Sequence, residues 1–151
     1  MNMMFSWIVT WLSVTLSLPA VYEHPQIEFV SHERILAVSL SEQPVDSAMK
    51  SAYMPPGRSR RNIEAVYDDS SRTIYLDQNW TGLTPAETSV LVHEMVHHLQ
   101  NVAGLKYECA QAREEVAYIA QDKWLALFGR NLMKEFRLDP MTLLVRTKCI
   151  H

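Results

Sequence analysis

Near its start the chain spaces apolar residues as a helix does, and it then changes to the two-residue spacing of a strand. The helical stretch lies within residues 1–20. Its apolar face consists of Phe5, Ile8, Val9 and Leu12, with Trp7, Trp11 and Leu18 beside it. After Pro19, Gln26–Val30 alternates as a strand does, and Ser31 can cap a short helix that runs to about Leu40. The pattern predicts a helix, a strand and a second helix.

Residues 1–20 also admit interpretation as a secretory signal peptide. Two features oppose it: no Lys or Arg precedes Arg34, and a cut after Ala20 would place Leu18 where a small residue is preferred. The apolar run Met3–Leu18 contains several Ser and Thr residues and is short for a membrane span. We expect a packed first helix, with a signal peptide as the alternative, and no stable membrane span.

The middle of the chain changes from loop signals to a hairpin. The stretch from Ser41 to Arg61 is rich in Pro and predicts a loop, with one helical turn near Val45 to Ala52. Two β-rich runs follow, Ile63 to Tyr67 and Arg72 to Leu76, separated by four Asp and Ser residues. These runs predict an antiparallel hairpin whose second strand has one covered face.

Three helices are predicted downstream. Thr84-Pro85-Ala86-Glu87 resembles a capping box with Pro at the first helical position, so a helix should run from Pro85 to about Ala103 and end at Gly104. A second helix should span about Cys109 to Phe128, and a short third should follow its cap, Asp139. Together these elements predict an α+β domain with a small sheet of about three strands.

Composition narrows the classes of function. The 151 residues are enough for one domain, and 48% of them are apolar, which allows a substantial core. The net charge is −3, and the basic run Arg58 to Arg61 follows Pro55-Pro56-Gly57, as a solvated loop would. We expect no nucleic-acid partner.

The two cysteines, Cys109 and Cys149, are too far apart in sequence to form a CxxC pair. A disulfide would join the end of the chain to the start of the second long helix, and it would require an oxidising compartment. The alternative is two small buried thiols. A secreted or periplasmic location is compatible with the first alternative, and the compartment stays open.

The candidate chemistry lies in His93-Glu94-Met95-Val96-His97. Two histidines four residues apart project from one helix face and can reach one cation. Glu94 is rotated by about a hundred degrees from His93, so it would lie near a metal-bound water as a general base. The helix around these residues is apolar nearly all round, so a zinc ion would satisfy polar groups that are costly to bury. His98 points away from this face and is not counted as a ligand.

A catalytic zinc ion needs a third protein ligand. A further histidine in the extended pattern is excluded, because Ala103 stands at its position. The next helix offers Glu108, Glu114 and Glu115; Glu114 shares a helix face with Tyr118, and we favour it. Glu115 remains the rival, and in a third interpretation both are solvated helix charges.

These residues resemble the gluzincins, zinc peptidases in which a second helix supplies a glutamate ligand. The chain is similar to the small single-domain minigluzincins, and more closely to an uncharacterised family of small bacterial HExxH domains. The matching stretches are Arg72–Leu76, Ser89–Gln100 and Arg113–Tyr118, within the part Ile63 to Phe128.

The resemblance implies a minimal zincin-like fold, with 1–151 as a single domain and 62–128 as its metal-binding catalytic core. It implies His93, His97 and Glu114 as zinc ligands and Glu94 as the catalytic base. Tyr118 stands where several gluzincins carry an aspartate that orients the first histidine, so its hydroxyl would either accept that histidine's N–H or line the cleft.

We therefore expect a zinc metallopeptidase that acts on a peptide or protein substrate. Tyr118, Tyr107 or His98 could donate to the oxyanion, and the strand Arg72 to Leu76 would be the sheet edge for an extended peptide. Trp80 is either a substrate contact or a core residue. One alternative function is a zinc-bound binding or regulatory domain with little turnover. Another is a structural zinc domain, against which Glu94 argues. Substrate preference and oligomeric state are not predicted.

Overall fold

The computed structural model describes residues 1–41 and 65–150. The described residues form an α+β arrangement of six helices and a three-stranded mixed sheet. In chain order the elements are α1 (Asn2–Leu16), β1 (Gln26–Val30), α2 (His32–Ser41), β2 (Ala65–Asp68), β3 (Thr73–Asp77), α3 (Pro85–Val102), α4 (Ala110–Ala126), α5 (Leu132–Glu135) and α6 (Pro140–Thr147). The predicted loop from Ser41 to Arg61, its helical turn and its basic run fall almost wholly outside the described residues.

The sheet has the order β1-β3-β2, with β1 parallel and β2 antiparallel to β3. The predicted hairpin is confirmed for its described part. Its second strand, however, lies in the centre of the sheet and is paired on both sides. The prediction that Arg72 to Leu76 forms a sheet edge is wrong, because β1 returns from before the hairpin in sequence and covers that side.

The first helix packs as its apolar pattern predicts. Phe5, Ile8, Val9 and Leu12 are all buried, and they join a core that includes Ile74 and Leu76 of β3 and the apolar residues of α3. Ser31 caps α2 through its hydroxyl, which accepts from the Arg34 amide. No helix within residues 1–41 and 65–150 combines the length and the apolar character that a membrane crossing requires.

Helix α3 begins at a well-capped N-terminus. The Thr84 hydroxyl accepts from the Glu87 amide at 3.1 Å, and Pro85 occupies the first helical position. The Glu87 carboxylate does not reach back to Thr84 as a capping box predicts. It accepts instead from the amides of Thr81, Gly82 and Leu83. Burial acts to raise the pKa of Glu87, but these hydrogen bonds outweigh it and hold the pKa below its usual value.

Trp80 packs beneath the same turn. Its indole N–H donates to the Glu87 carbonyl at 2.9 Å, and its ring lies against the core. The ring also lies so close to Gly82 that a Cβ there would approach it to 2.7 Å. Of the two predicted roles for Trp80, the structure supports the core residue.

Helix α4 packs against α3 and is joined to the end of the chain. Cys109, its N-cap residue, forms a disulfide with Cys149, which lies just beyond α6. The structure thus shows the first of the two predicted states of these cysteines, and the bond is compatible with an extracellular location. Ile119 of α4 lies outside the core and is 41% exposed.

Candidate metal centre

Two histidines of α3 and one glutamate of α4 converge between the two helices. His93 Nε2 lies 3.0 Å from Glu114 Oε2, and His97 Nε2 lies 3.1 Å from Glu114 Oε1. One ligand atom from each of the three residues lies within 4.8 Å of the other two, so the group could hold a metal ion. Both histidines are buried, whereas the Glu114 side chain remains 39% exposed at the mouth of the site.

Gln121 orients the first histidine. Its Oε1 lies 2.9 Å from His93 Nδ1, and its Nε2 donates to the Ser89 hydroxyl. The Ser89 hydroxyl donates in turn to the Ala86 carbonyl, so it must accept from Gln121. This chain fixes which end of the amide faces the histidine, and His93 therefore carries its proton on Nδ1 and presents a lone pair at Nε2.

Gln100 orients the second histidine in the same way. Its Nε2 donates to the Arg113 carbonyl, which accepts only, so its Oε1 faces His97 Nδ1 at 2.8 Å. Arg113 Nε donates to the same Oε1, and the guanidinium continues to Asp69. Each candidate ligand thus has its Nδ1 proton held by a glutamine and its Nε2 turned to Glu114, the outer-shell arrangement of histidines that bind a metal.

The charges of the site favour a cation. Burial alone would lower the pKa of His97, but Glu114 beside its Nε2 raises that pKa to about 9. Burial likewise acts to raise the pKa of Glu114, yet the two histidines hold it well below its usual range. These two shifts favour a proton between His97 and Glu114, the position that a bound cation would take.

Glu94 lies within the protein beside this group. Its side chain is buried, and the backbone N–H of Tyr67 in β2 hydrogen-bonds to it. Burial raises the pKa of Glu94, while His93 and His97 act in the opposite direction. A buried carboxylate with a raised pKa beside two histidines is suited to accept a proton.

Tyr118 contacts the site through its ring rather than through a hydrogen bond to His93. The two rings meet edge to face, with centroids 4.7 Å apart, and the tyrosine hydroxyl accepts from Arg146 at 3.2 Å. Of the two predicted roles, orientation of His93 belongs to Gln121 instead. Glu115, the rival ligand, pairs instead with Lys148 at 2.7 Å.

His98 lies on the opposite face of α3 and is fully engaged there. Its Nε2 lies 2.6 Å from the Glu23 carbonyl and must donate to it, so its Nδ1 accepts from the Tyr67 hydroxyl at 3.0 Å. Asn101 donates to the same hydroxyl. His98 is therefore neither a ligand nor an oxyanion donor, as its position on the helix predicts for the ligand role.

Sequence reasoning assigned no role to Gln121, Gln100 or Arg146. The helical period offers a signal for Gln121, because it lies two turns beyond Glu114 on the same face of α4. Gln100 lies one turn after His97 and carries the same signal. Arg146 offers none, since its approach to Tyr118 depends on how α6 packs against α4.

Comparison with known proteins identifies the family of the chain. The model of a family described as a domain of unknown function, DUF6647, matches residues 1–151. Comparisons with curated proteins and with solved structures give no match. The family match includes the candidate metal ligands His93, His97 and Glu114, and the chain belongs to the DUF6647 family.

Proposed function

We propose that the protein is a zinc-dependent hydrolase that cleaves peptide bonds, as its resemblance to gluzincins implies. One observation carries the proposal: the Nε2 atoms of two buried histidines and one carboxylate meet at a single point, with the buried Glu94 beside them. A closed structural site would have no use for this additional carboxylate.

The donor set fits zinc. Two neutral imidazoles and a carboxylate are ligands of catalytic zinc. One ligand atom of each residue lies within 4.8 Å of the other two, which is close enough for all three to hold one ion. His93, His97 and Glu114 would hold the ion, and Gln121 and Gln100 would keep both Nε2 atoms available.

A bound zinc ion supplies Lewis acidity, which makes water a stronger acid and polarises a carbonyl group. The chain's own part begins with Glu94, which takes a proton from the attacking water at its carboxylate and delivers it to the leaving amine. The raised pKa of Glu94 brings it closer to the pH at which both transfers are favourable. The Tyr118 hydroxyl, held by Arg146, is the candidate donor to the carbonyl oxygen.

The strand that would receive an extended peptide is β2. Within the described residues β2 forms an edge of the sheet, and its Tyr67 amide reaches Glu94. A peptide added along an edge strand gains main-chain hydrogen bonds. We therefore assign the peptide-binding edge, which was expected at Arg72 to Leu76, to Ala65–Asp68 instead.

The proposal is tested first by the metal. Purified protein should contain one zinc ion per chain by elemental analysis and should cleave members of a peptide library, with the cleavage lost after chelation. Glu114→Gln should lose the zinc, because it removes a charged ligand, whereas Glu115→Gln is the matched control and should keep it. Protein that folds without metal and is indifferent to a chelator would disprove the proposal.

The base is tested by Glu94→Gln. This variant should keep its zinc, because Glu94 is not a ligand, and should lose about 100-fold or more in peptide hydrolysis. Initial rates at matched zinc content provide the measurement. Undiminished hydrolysis would exclude Glu94 as the base, and zinc binding without hydrolysis in the wild type would leave a non-catalytic binding domain.

A further inference from the structure

Arg146 lies in the last turn of α6, partly buried against α4. Its Nη1 donates to the Tyr118 hydroxyl at 3.2 Å. A guanidinium has five N–H donors, and within residues 1–41 and 65–150 the other four have no acceptor. Among the described residues no carboxylate forms an ion pair with Arg146, and Glu115 pairs with Lys148.

A partly buried guanidinium without a carboxylate partner is suited to an anion. Its planar fork matches the two oxygens of a carboxylate, and such charge-assisted pairs are among the stronger hydrogen bonds in proteins. The helix dipole favours a positive charge in the last turn of any helix. The dipole does not explain why the guanidinium of Arg146 contacts Tyr118.

Tyr118 connects Arg146 to the metal centre. The tyrosine ring lies edge to face against His93, and its hydroxyl contacts Arg146. The side chain of Tyr118 therefore contacts both the guanidinium of Arg146 and the candidate ligand His93. A ligand bound at the metal centre could reach it with a group a few bonds from the reacting carbonyl.

A cavity of about 270 Å³ has Tyr118 in its wall. Its lining combines the apolar side chains of Ile119, Leu132 and Leu143 with the charged ones of Glu115, Asp122 and Lys148. A cavity of about 150 Å³ is enough for benzene, so this one can accept a large apolar side chain. Leu143 and Thr147, which flank Arg146 in α6, line the cavity, and Arg146 itself lies outside the lining.

We propose that Arg146 binds a carboxylate of the substrate, and that the adjoining cavity accepts an apolar side chain next to it. The inference rests on the proposed function, because it names the class of peptide that the metal centre would process. The carboxylate has two sources: the C-terminus of a peptide, or an Asp or Glu side chain.

The test measures binding without turnover. The full-length Glu94→Gln protein, loaded with zinc, is titrated by calorimetry with N-acetylphenylalanine and with its amide. A second pair, N-acetylglutamate α-amide and N-acetylglutamine amide, presents the carboxylate on a side chain. We expect at least one carboxylate to bind about ten-fold more tightly than its amide. A preference in the first pair assigns the C-terminal group, and one in the second assigns the side chain.

Arg146→Gln in the same background should reduce the preference to nearly one, and Arg146→Lys should keep only part of it because the fork is lost. Arg130→Gln is the control, since Arg130 pairs with Glu135 away from Tyr118. Equal affinities within both pairs in the parent protein would overturn the proposal, whether or not Arg146→Gln folds. An unchanged preference in a folded Arg146→Gln protein would also overturn it.

Failure of the proposed function gives a different result. Absence of zinc or of hydrolysis in the wild type is read by elemental analysis and initial rates, whereas the carboxylate preference is read by calorimetry. Repeating the titrations after chelation separates the two further. A preference that survives chelation and still depends on Arg146 supports the anion site independently of zinc.

Discussion

Helix α3 presents buried histidines on two sides, and the two sides treat them differently. His98 has both ring nitrogens bonded to groups of the protein, the Glu23 carbonyl and the Tyr67 hydroxyl. His93 and His97 have one nitrogen each held by a glutamine amide, while the other turns to the carboxylate of Glu114. Burial is nearly the same on the two sides.

The difference shows what separates a structural histidine from a candidate ligand. On the His98 side, donors and acceptors balance within the protein, and the network is complete. On the other side, two lone pairs and a carboxylate meet with only one shared proton, and the balance improves when a cation replaces that proton. Burial and residue type are the same, so the second nitrogen's partner decides the role.

The largest effects that would test this difference between the two sides of α3 come from replacing each histidine by alanine. His93→Ala and His97→Ala should lose zinc affinity by more than about 100-fold, beyond the loss expected from an outer partner. His98→Ala should keep its zinc, but its free energy of unfolding should fall by roughly 1–3 kcal/mol for each group left unpaired. Zinc titration against a competing chelator and urea unfolding measure the two effects. Loss of zinc in a folded His98→Ala protein would contradict the assignment.

The outer partner of His93 gives the next largest effect. Gln121→Leu should lower zinc affinity by about 10–100-fold, because His93 Nδ1 loses its acceptor and the ring its orientation. Gln121→Glu retains an acceptor and should recover most of the affinity. The same chelator competition measures both variants. Equal affinities for Gln121→Leu and the wild type would show that packing alone orients the ring.

On the side of α3 that carries His98, Tyr67→Phe should lower the free energy of unfolding by about 1–3 kcal/mol, since His98 Nδ1 and Asn101 lose their shared partner. Zinc content and hydrolysis should not change, because the Tyr67 backbone amide still serves Glu94. Tyr75→Phe is the control, as the Tyr75 hydroxyl makes no hydrogen bond in the described part of the chain. A loss of zinc without destabilisation would reverse the expected pattern.

The smallest effect is a difference in the response to pH of the metal-free protein. The pKa of His97 is raised to about 9, so its contribution to stability is complete below its unfolded value, near 6.5, and is lost as pH rises through 9. Burial lowers the pKa of His98, so its contribution is present above 6.5 and is lost as pH falls below that value.

Urea midpoints of chelated protein between about pH 5 and 10 would show both effects. Glu114→Gln should abolish most of the alkaline loss, because Glu114 is what raises the pKa of His97. The same variant should leave the acid response of His98 unchanged. A wild-type midpoint that is constant from neutral pH to pH 9 would contradict the proton that we place between His97 and Glu114.

Local signals in the sequence predicted much of this arrangement. Thr84 with Pro85, Asp139 with Pro140, and Gly104 lie at helix ends in the structure, because caps and left-handed turns depend on a few neighbouring residues. The period of α3 predicted that His93 and His97 share a face and that His98 leaves it. The shared face with Tyr118 favoured Glu114, which does approach both histidines.

What the sequence did not predict depends on packing between distant segments. β3 became the central strand because β1 pairs with it across more than forty intervening residues of sequence. Gln121 takes the role considered for Tyr118, since its amide reaches both His93 and Ser89 of α3. Helix α5 (Leu132–Glu135) is too short to show a period, although Asn131 caps it.

The Cys109–Cys149 bond makes α4, α5 and α6 a covalently closed segment, with a sequence separation of 40 between its ends. A protease that cut the exposed connection between α5 and α6 would therefore produce two chains that stay linked. The fragment that carries Arg146 would stay attached to Cys109, five residues before Glu114, and a reductant would be needed to release it. Nicked protein would keep the full mass on a non-reducing gel while showing two fragments on a reducing one.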